Sequence, residues 1–86
     1  MRYTVKSSSQ ELNQSTTIRP SHFGGWMAVN SGTVAVSVDG YVLQPGDGID
    51  YTHLHPSVTW DSPINIVIPV GGSVRFTRLM YNEVND

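Results

Sequence analysis

The sequence predicts an all-β domain, and three observations support that prediction. Val, Ile and Thr supply 23 of the 86 residues, whereas Ala, Leu, Glu and Lys supply only nine. β-branched side chains pack well on a pleated sheet and lose side-chain freedom in a helix. Gly and Pro together number 13, which suits short strands joined by frequent turns. A chain of this length holds one hydrophobic core, so residues 1–86 are expected to form a single domain.

The first third of the chain predicts short extended segments. Residues 2–6 alternate between apolar and polar side chains, which predicts a strand. Residues 12–18 follow a weaker extended pattern that Pro20 closes. Residues 22–26 form a predicted bend, with two glycines between aromatic side chains. Residues 26–30 then predict the next strand.

The middle of the chain predicts a hairpin followed by a second turn. Residues 33–38 alternate, with valine at every second position. The dipeptide Asp39-Gly40 tolerates the positive φ angles of a type I′ turn, and residues 41–44 return as a strand. Pro45-Gly46 predicts a type II turn, because Pro fixes φ at the second position and Gly accepts a positive φ at the third.

The second half begins with three predicted extended segments. Residues 49–54 alternate and end before Pro56, and residues 58–60 are a brief extended piece. Residues 64–70 place Ile or Val at every second position, which predicts a strand whose apolar face includes Val70. Pro69 lacks a backbone N–H and therefore belongs at the end of that strand or on an edge.

A last strand is predicted over residues 73–81, after a turn at Gly71-Gly72. Its apolar pattern changes phase, since positions 74 and 76 are in one phase and positions 79 and 81 in the other. A one-residue slip reverses the faces of all later side chains, so we expect a β-bulge near Thr77-Arg78. Residues 82–86 are expected to be a polar tail.

These elements amount to seven or eight short strands with frequent turn signals, which is typical of a β-sandwich or small barrel. We expect a single antiparallel, jelly-roll-like β-sandwich. Ten apolar side chains from the alternating runs are expected in its core: Val34, Val36, Val38, Leu43, Ile49, Ile64, Ile66, Ile68, Val74 and Phe76.

Composition and charge argue against several classes of function. The formal net charge is −2, and the five Lys and Arg residues are scattered, so no basic face for nucleic acid is expected. No apolar run is long enough for a membrane-spanning helix, and no hydrophobic run follows the N-terminal charges as in a signal peptide. The lack of cysteine excludes disulfides and thiol chemistry and mildly favours a reducing compartment.

A metal site is the main chemical alternative. On a strand, His53 and His55 would share a face and could bind one metal ion, with Asp50 or Asp61 as a third ligand. This pair and the upstream turn at residues 45–47 are similar to the metal-binding motif of cupins. The sequence departs from that motif, because neither the expected Glu nor a later His follows His55. The alternative is a strand end with one ring exposed and one packed.

Catalytic motifs are missing from the sequence, and no cofactor is expected. No Gly-x-Ser-x-Gly nucleophile motif occurs, and Asp39 and Asp47 adjoin turn glycines, where Asp is favoured for local hydrogen bonding. A sugar-binding surface is a further alternative, because several rings could form a stacking platform: Trp26, Tyr41, Tyr51, Trp60 and Tyr81. Core positions are the preferred interpretation for Trp26 and Trp60, because a small β domain needs large side chains inside.

The hairpin and turn over residues 30–46 resemble small β-sandwich virion proteins of tailed bacteriophages. That resemblance implies a non-enzymatic structural protein, of the type that decorates capsids or joins head and tail parts. The implied partners are other virion subunits, and the implied location is the virion, assembled in the host cytoplasm.

Two further observations favour assembly with other protein. Charged residues are only 14% of the chain, so a largely neutral surface is expected. A small domain without disulfide or metal also gains buried area by forming homo-oligomers. The polar segment 7–17 needs a neighbouring strand or subunit to hold it. We therefore expect residues 1–18 to contact another subunit, with Tyr3, Leu12 and Ile18 as anchors.

Overall fold

The computed structural model describes residues 2–19, 23–55 and 57–84. These residues form eight β-strands and no helix, and therefore no helix that could cross a membrane. The strands follow in chain order: β1 (Arg2–Leu12), β2 (Thr16–Ile18), β3 (Trp26–Asn30), β4 (Val36–Val38), β5 (Tyr41–Leu43), β6 (Gly48–Asp50), β7 (Ile64–Val67) and β8 (Val74–Val84).

The strands form two antiparallel sheets of four. Sheet A has the order β1-β8-β3-β6, and sheet B has the order β2-β7-β4-β5. The pairing is nested, because β4 pairs with β5, β3 with β6, β2 with β7 and β1 with β8. A long hairpin rolled into two facing sheets gives this order, which is that of a jelly roll. The predicted sandwich is therefore confirmed.

The core between the sheets contains most of the side chains that the alternating runs predicted. Val34 and Ile49 are only half-buried, and the other eight predicted core residues are buried. Trp26 is buried in the core as predicted, and Trp60 is partly buried against it. The core also contains three side chains that were not predicted: Ile18, Phe23 and Ala28. The large rings therefore supply a part of the core that strand alternation did not reveal.

Both predicted turns in the middle of the chain are confirmed. Asp39 and Gly40 have φ angles of 51° and 85°, and Val38 faces Tyr41 in register, as a two-residue type I′ hairpin requires. Gly46 has a φ of 88°, and the Asp47 N–H donates to the Gln44 carbonyl at 2.9 Å, as in a type II turn.

The predicted bulge near Thr77-Arg78 is wrong. The register between β1 and β8 is continuous from Arg2 opposite Val84 to Leu12 opposite Val74. The register of β8 with β3 is also continuous. Leu79 therefore lies on the outer face of sheet A rather than on the core face.

Apolar side chains on both faces explain the change of phase in β8. Met80 continues the phase of Val74 and Phe76 and packs against the core, while Leu79 and Tyr81 lie half-buried on the outer face. A Cβ atom added at Gly24 would lie 3.3 Å from the Tyr81 ring and 2.8 Å from the Val58 carbonyl oxygen. The outer face of β8 is therefore covered here by the segment at Gly24 and by the connection between β6 and β7. Sheet B covers the opposite face around Val74 and Phe76.

Strands β1 and β8 are longer than the sequence predicted. β1 continues past Lys6 to Leu12, and β8 includes Asn82–Val84, which the sequence predicted as tail. β3 pairs with β8 only as far as Arg78. Residues 2–7 and 79–84 therefore form a two-stranded extension, here called the ribbon, and the molecule measures 49 × 20 × 17 Å.

The other differences concern strand ends. β6 ends at Asp50 and β7 at Val67, so the predicted strands over 49–54 and 64–70 are shorter. Val70 is fully exposed, because the Gly72 N–H donates to the Pro69 carbonyl and places Val70 at the tip of a turn. Residues 58–60 form no strand. Predictions at positions 20–22, 56 and 85–86 lie outside the described residues.

Candidate functional site

The two histidines proposed as metal ligands lie in the connection after β6, outside any strand, so strand geometry does not place them on one face. His53 is 90% exposed, and its Nε2 lies 3.8 Å from an Asp50 oxygen. His55 Nδ1 lies 2.7 Å from the Ser57 hydroxyl and accepts the Ser57 N–H at 3.1 Å. Among the described residues, no group of three His, Asp or Glu side chains could hold a metal ion.

Asp50 is held by its own loop. The Thr52 hydroxyl donates to its carboxylate, and the Thr52 backbone N–H donates to the same oxygen at 2.8 Å. These two hydrogen bonds, hydroxyl first, hold the pKa of Asp50 below its ordinary value, and His53 adds a smaller effect. This is the local side-chain to backbone hydrogen bonding that is typical of Asp in turns and loops.

The aromatic side chains form a cluster at one end of the core. Trp26 is fully buried, stacks on Phe76 at 5.6 Å and meets Trp60 edge-on at 5.4 Å. Tyr51 and Trp60 are half-buried against it, with their ring planes at 44°. Trp26 and Trp60 are 82° apart in orientation, so the two rings do not form a flat sugar-stacking platform.

Arg78 covers the cluster from the β8 side. Its guanidinium lies 5.3 Å from the Phe23 ring centre and 5.5 Å from that of Phe76. Both distances are within the range of a cation–π contact. The Arg78 guanidinium therefore stabilises the aromatic cluster, and we assign it no role in a basic surface.

Asn30 is the one buried polar side chain among the described residues, and it joins the two sheets. Its amide nitrogen donates to the Val34 and Leu43 carbonyls at 2.8 and 2.9 Å, and its amide oxygen accepts the Gly32 N–H at 3.0 Å. Its side-chain groups are thereby paired, as burial requires. We interpret Asn30 as structural.

Glu11 anchors the end of β1. Its carboxylate accepts the hydroxyls of Ser31 and Ser73, and Arg75 Nε lies 3.3 Å from its second oxygen. The hydrogen bonds, that from Ser31 first and that from Ser73 second, hold the pKa of Glu11 below its ordinary value. This cluster joins three segments of sheet A at the surface.

The three predicted contact residues lie in different environments. Ile18 is 7% exposed and belongs to the core, so its side chain is not available as a surface anchor. Leu12 is half-buried against the core. Tyr3 is half-buried in the ribbon, where its ring meets His55 edge-on at 6.4 Å. Of the three, only Tyr3 lies in a segment that extends beyond the sandwich.

The outer face of sheet B carries an open apolar surface. Val67, Ser37 and Val42 are neighbours across β7, β4 and β5, and the two valines are 55% and 68% exposed. With neighbouring side chains they line a shallow groove of about 220 Å³. We call this surface the sheet B face, and its lining residues are Ala35, Val36, Ser37, Val42, Val67 and Pro69.

Sequence reasoning missed the sheet B face, although a signal was present. Residues 64–68 place isoleucine at alternate positions, and Val67 occupies the intervening phase, where a polar side chain is expected if that face meets water. Val42 stands in the same phase of β5. A Val at an outward position on each of two strands was the available indication of an apolar outer face.

Comparison of the chain with models of protein families, with curated proteins and with solved structures gives no match.

Proposed function

We propose that this protein is a non-enzymatic structural component of a viral particle, a capsid decoration or head–tail accessory protein that acts by adhesion to neighbouring subunits. Its partners are other virion proteins, and its location is the virion. The observation that carries this proposal is the apolar, uncharged groove of the sheet B face.

The chemistry of that groove suits contact with protein. Every residue that lines it is neutral, and all but Ser37 are apolar. Burying such a surface removes apolar area from water without the cost of desolvating charges. The centre of a protein interface is likewise depleted in charged residues.

The jelly-roll strand order supports the same proposal at the level of the fold. This architecture occurs in viral capsid domains, and it also occurs in lectins and cupins. A fold by itself does not assign a function, so the surface decides between these classes. Here Trp26 is buried and lies at 82° to Trp60, and the two histidines have separate partners, whereas the sheet B face is open.

The proposal is tested by sedimentation of particles from cells that encode the chain, with an antibody against the purified domain. The wild-type protein is expected in fractions of particle size. Val67→Lys places a charge in the groove and should move the protein to the top of the gradient. Val70→Lys, at a fully exposed turn outside the groove, is the matched control and should sediment with particles.

Two results would contradict the proposal. Wild-type protein found only at the top of the gradient would remove the particle assignment. Equal sedimentation of the Val67→Lys and Val70→Lys variants with particles would show that the sheet B face is not the adhesive surface.

A further inference from the structure

Strand β1 has a strand neighbour on only one side among the described residues. It lies at the end of sheet A, beside β8. Residues 4–11 are exposed. β1 is eleven residues long, whereas β6, at the other end of the sheet, has three. A long edge strand without proline or bulge is a template for pairing with another chain.

The backbone groups on the side of β1 away from β8 can be identified. The Leu79 N–H donates to the Gly25 carbonyl at 2.8 Å, and the Leu79 carbonyl accepts the Gly24 N–H at 3.0 Å. Leu79 therefore faces the β3 side of the sheet. Adjacent residues of a strand direct their backbone groups to opposite sides, so Arg78 and Met80 face β1.

The continuous register carries this assignment into β1. Arg78 and Met80 face Ser8 and Lys6, so those two residues use their backbone groups within the domain. The alternate residues of β1, which include Val5, Ser7 and Ser9, therefore direct their backbone N–H and C=O groups away from β8.

We propose that two copies of this protein pair through these edges, β1 against β1, in an antiparallel arrangement with a two-fold axis at Ser7. Ser7 then faces the partner copy's Ser7, and Val5 faces the partner's Ser9. The two sheets become one continuous sheet of eight strands. The three facing pairs supply about six interchain hydrogen bonds, two for each pair.

Charge and strand overlap together favour this register. Facing residues of an antiparallel pair lie on the same side of the sheet. With a two-fold axis perpendicular to the sheet, one residue of β1 must therefore face its own copy across the axis. An axis at Lys6 would place two lysines opposite each other, which is destabilising. An axis at Ser7 places Lys6 opposite a serine, Ser8, of the partner. It also pairs the whole strand from Arg2 to Leu12, whereas other axes leave one end unpaired.

The shape of the molecule favours the same arrangement. Residues 2–7 belong to the ribbon, and residues 8–12 lie beside the body of the sandwich. With the axis at Ser7, the ribbon half of each β1 lies along the body half of the other. Each ribbon thereby gains a sheet neighbour on its open side.

Disulfide trapping tests the register, because the chain has no native cysteine. In the Ser7→Cys variant, the Cα atoms of the two facing cysteines would be about 5.5 Å apart. That separation is within the range that a disulfide spans. Ser9→Cys is the matched control, since Ser9 is also exposed, on the same face and on the same edge. The two Ser9 positions would be about 13 Å apart along the strands.

Under mild oxidation of about 10 μM protein, Ser7→Cys should form a covalent dimer about a hundredfold faster than Ser9→Cys, because paired thiols have an effective concentration on the order of millimolar. Light scattering of the wild-type protein should give twice the chain mass of 9.5 kDa. Ser7→Pro removes an edge N–H and should give a monomer with an unchanged circular dichroism spectrum.

A monomeric wild-type protein at millimolar concentration, or equal cross-linking of the two cysteine variants, would overturn the pairing. Faster cross-linking of Ser9→Cys would overturn the register. The pairing does not depend on the particle assignment. A monomer that still sediments with particles would remove the pairing alone, and a dimer absent from particles would remove the proposed function alone.

Discussion

The two halves of the β1–β8 pair have the same backbone register and very different surroundings. In the body half, residues 8–12 face residues 74–78, which also pair with β3 and cover the core. In the ribbon half, residues 2–7 face residues 79–84, and beyond the bonds of Leu79 to Gly24 and Gly25 the described residues place no third strand beside them. Phe76 is fully buried in the first half, and Val5 is 56% exposed in the second.

Strand pairing and side-chain burial are therefore independent of each other along β1 and β8. The backbone ladder continues through both halves without a break, so pairing tolerates the polar sequence of β1. Burial, by contrast, follows the covering layer. In β8 the core face carries Val74, Phe76 and the partly buried Met80, and the outer face carries the half-buried Leu79 and Tyr81. The energetic contribution of a position should therefore depend on its covering layer and not on its place in the ladder.

The largest effect is expected for Phe76→Ala in the body half. Phe76 packs between Phe23 and Trp26 and beneath Arg78, so its removal leaves a cavity. We expect the free energy of unfolding to fall by about 3–5 kcal/mol, measured by urea denaturation. Val5→Ala in the ribbon is the control and should cost about 0.5 kcal/mol or less. Similar losses for both variants would contradict the comparison.

The next largest effect is expected for Asn30→Ala, at the end of β3 in the body. The substitution leaves the Val34 and Leu43 carbonyls without their amide donor. An unpaired buried polar group costs about 1–3 kcal/mol, so a loss of about 3 kcal/mol is expected in the same urea measurement. The control is Asn65→Ala, which removes an exposed hydrogen bond to Thr17 and should change stability by about 0.5 kcal/mol or less.

An Asn30→Ala loss no larger than that of Asn65→Ala would show that water replaces the amide. Asn30 would then not be a link between the sheets.

The same comparison explains which parts of the fold the sequence could predict. The Asp39-Gly40 and Pro45-Gly46 turns depend on local backbone preferences, so the sequence identified them correctly. The isoleucines of β7 alternate because sheet A covers one face, and that pattern was readable too. Residues 7–11 are all polar and carry no such pattern, because their strand is paired at an exposed edge, so β1 was predicted too short.

The candidate site was harder to predict than the fold. Whether His53 and His55 converge depends on the path of a loop, which no spacing rule fixes. The sheet B face depends on which strands become neighbours, so Val42 and Val67 could not be recognised as one surface from positions 25 residues apart. The phase change in β8 was visible in the sequence, but a bulge and apolar side chains on both faces leave the same pattern.

A moderate effect is expected for Gly24→Ala, which tests the covering layer of the ribbon. The added Cβ would lie 2.8 Å from the Val58 carbonyl oxygen, so backbone must move. Overpacking of this kind costs about 1–3 kcal/mol. We expect faster amide hydrogen exchange at Leu79, whose backbone bonds Gly24 and Gly25, than in the wild type. The amide of Val74, at the other end of β8, is the internal control and should keep its protection.

Unchanged exchange at Leu79 would show that the segment at Gly24 adapts without moving away from the ribbon. The covering layer of the ribbon would then not depend on a close fit at Gly24.

The smallest effect is expected for Glu11→Gln at the body end of β1, and it should depend on pH. The hydroxyls of Ser31 and Ser73 favour the carboxylate and hold the pKa of Glu11 below its ordinary value of 4.5 in the folded protein. The resulting stabilisation is fully present above pH 4.5 and is lost as the pH falls through the folded-state pKa. The wild type should therefore exceed Glu11→Gln in urea midpoint at pH 7, and the difference should shrink towards pH 3.

The hydroxyl donors provide the control for that pH dependence. In a Ser31→Ala, Ser73→Ala background, the two strongest hydrogen bonds to Glu11 are absent, so replacing Glu11 by Gln should have a smaller and flatter effect across the same pH range. A difference that grew as the pH fell would mean that Glu11 is destabilising when ionised. In that case the end of β1 would be held by its backbone ladder alone, as in the ribbon, and the two halves of the strand would differ only in their covering layer.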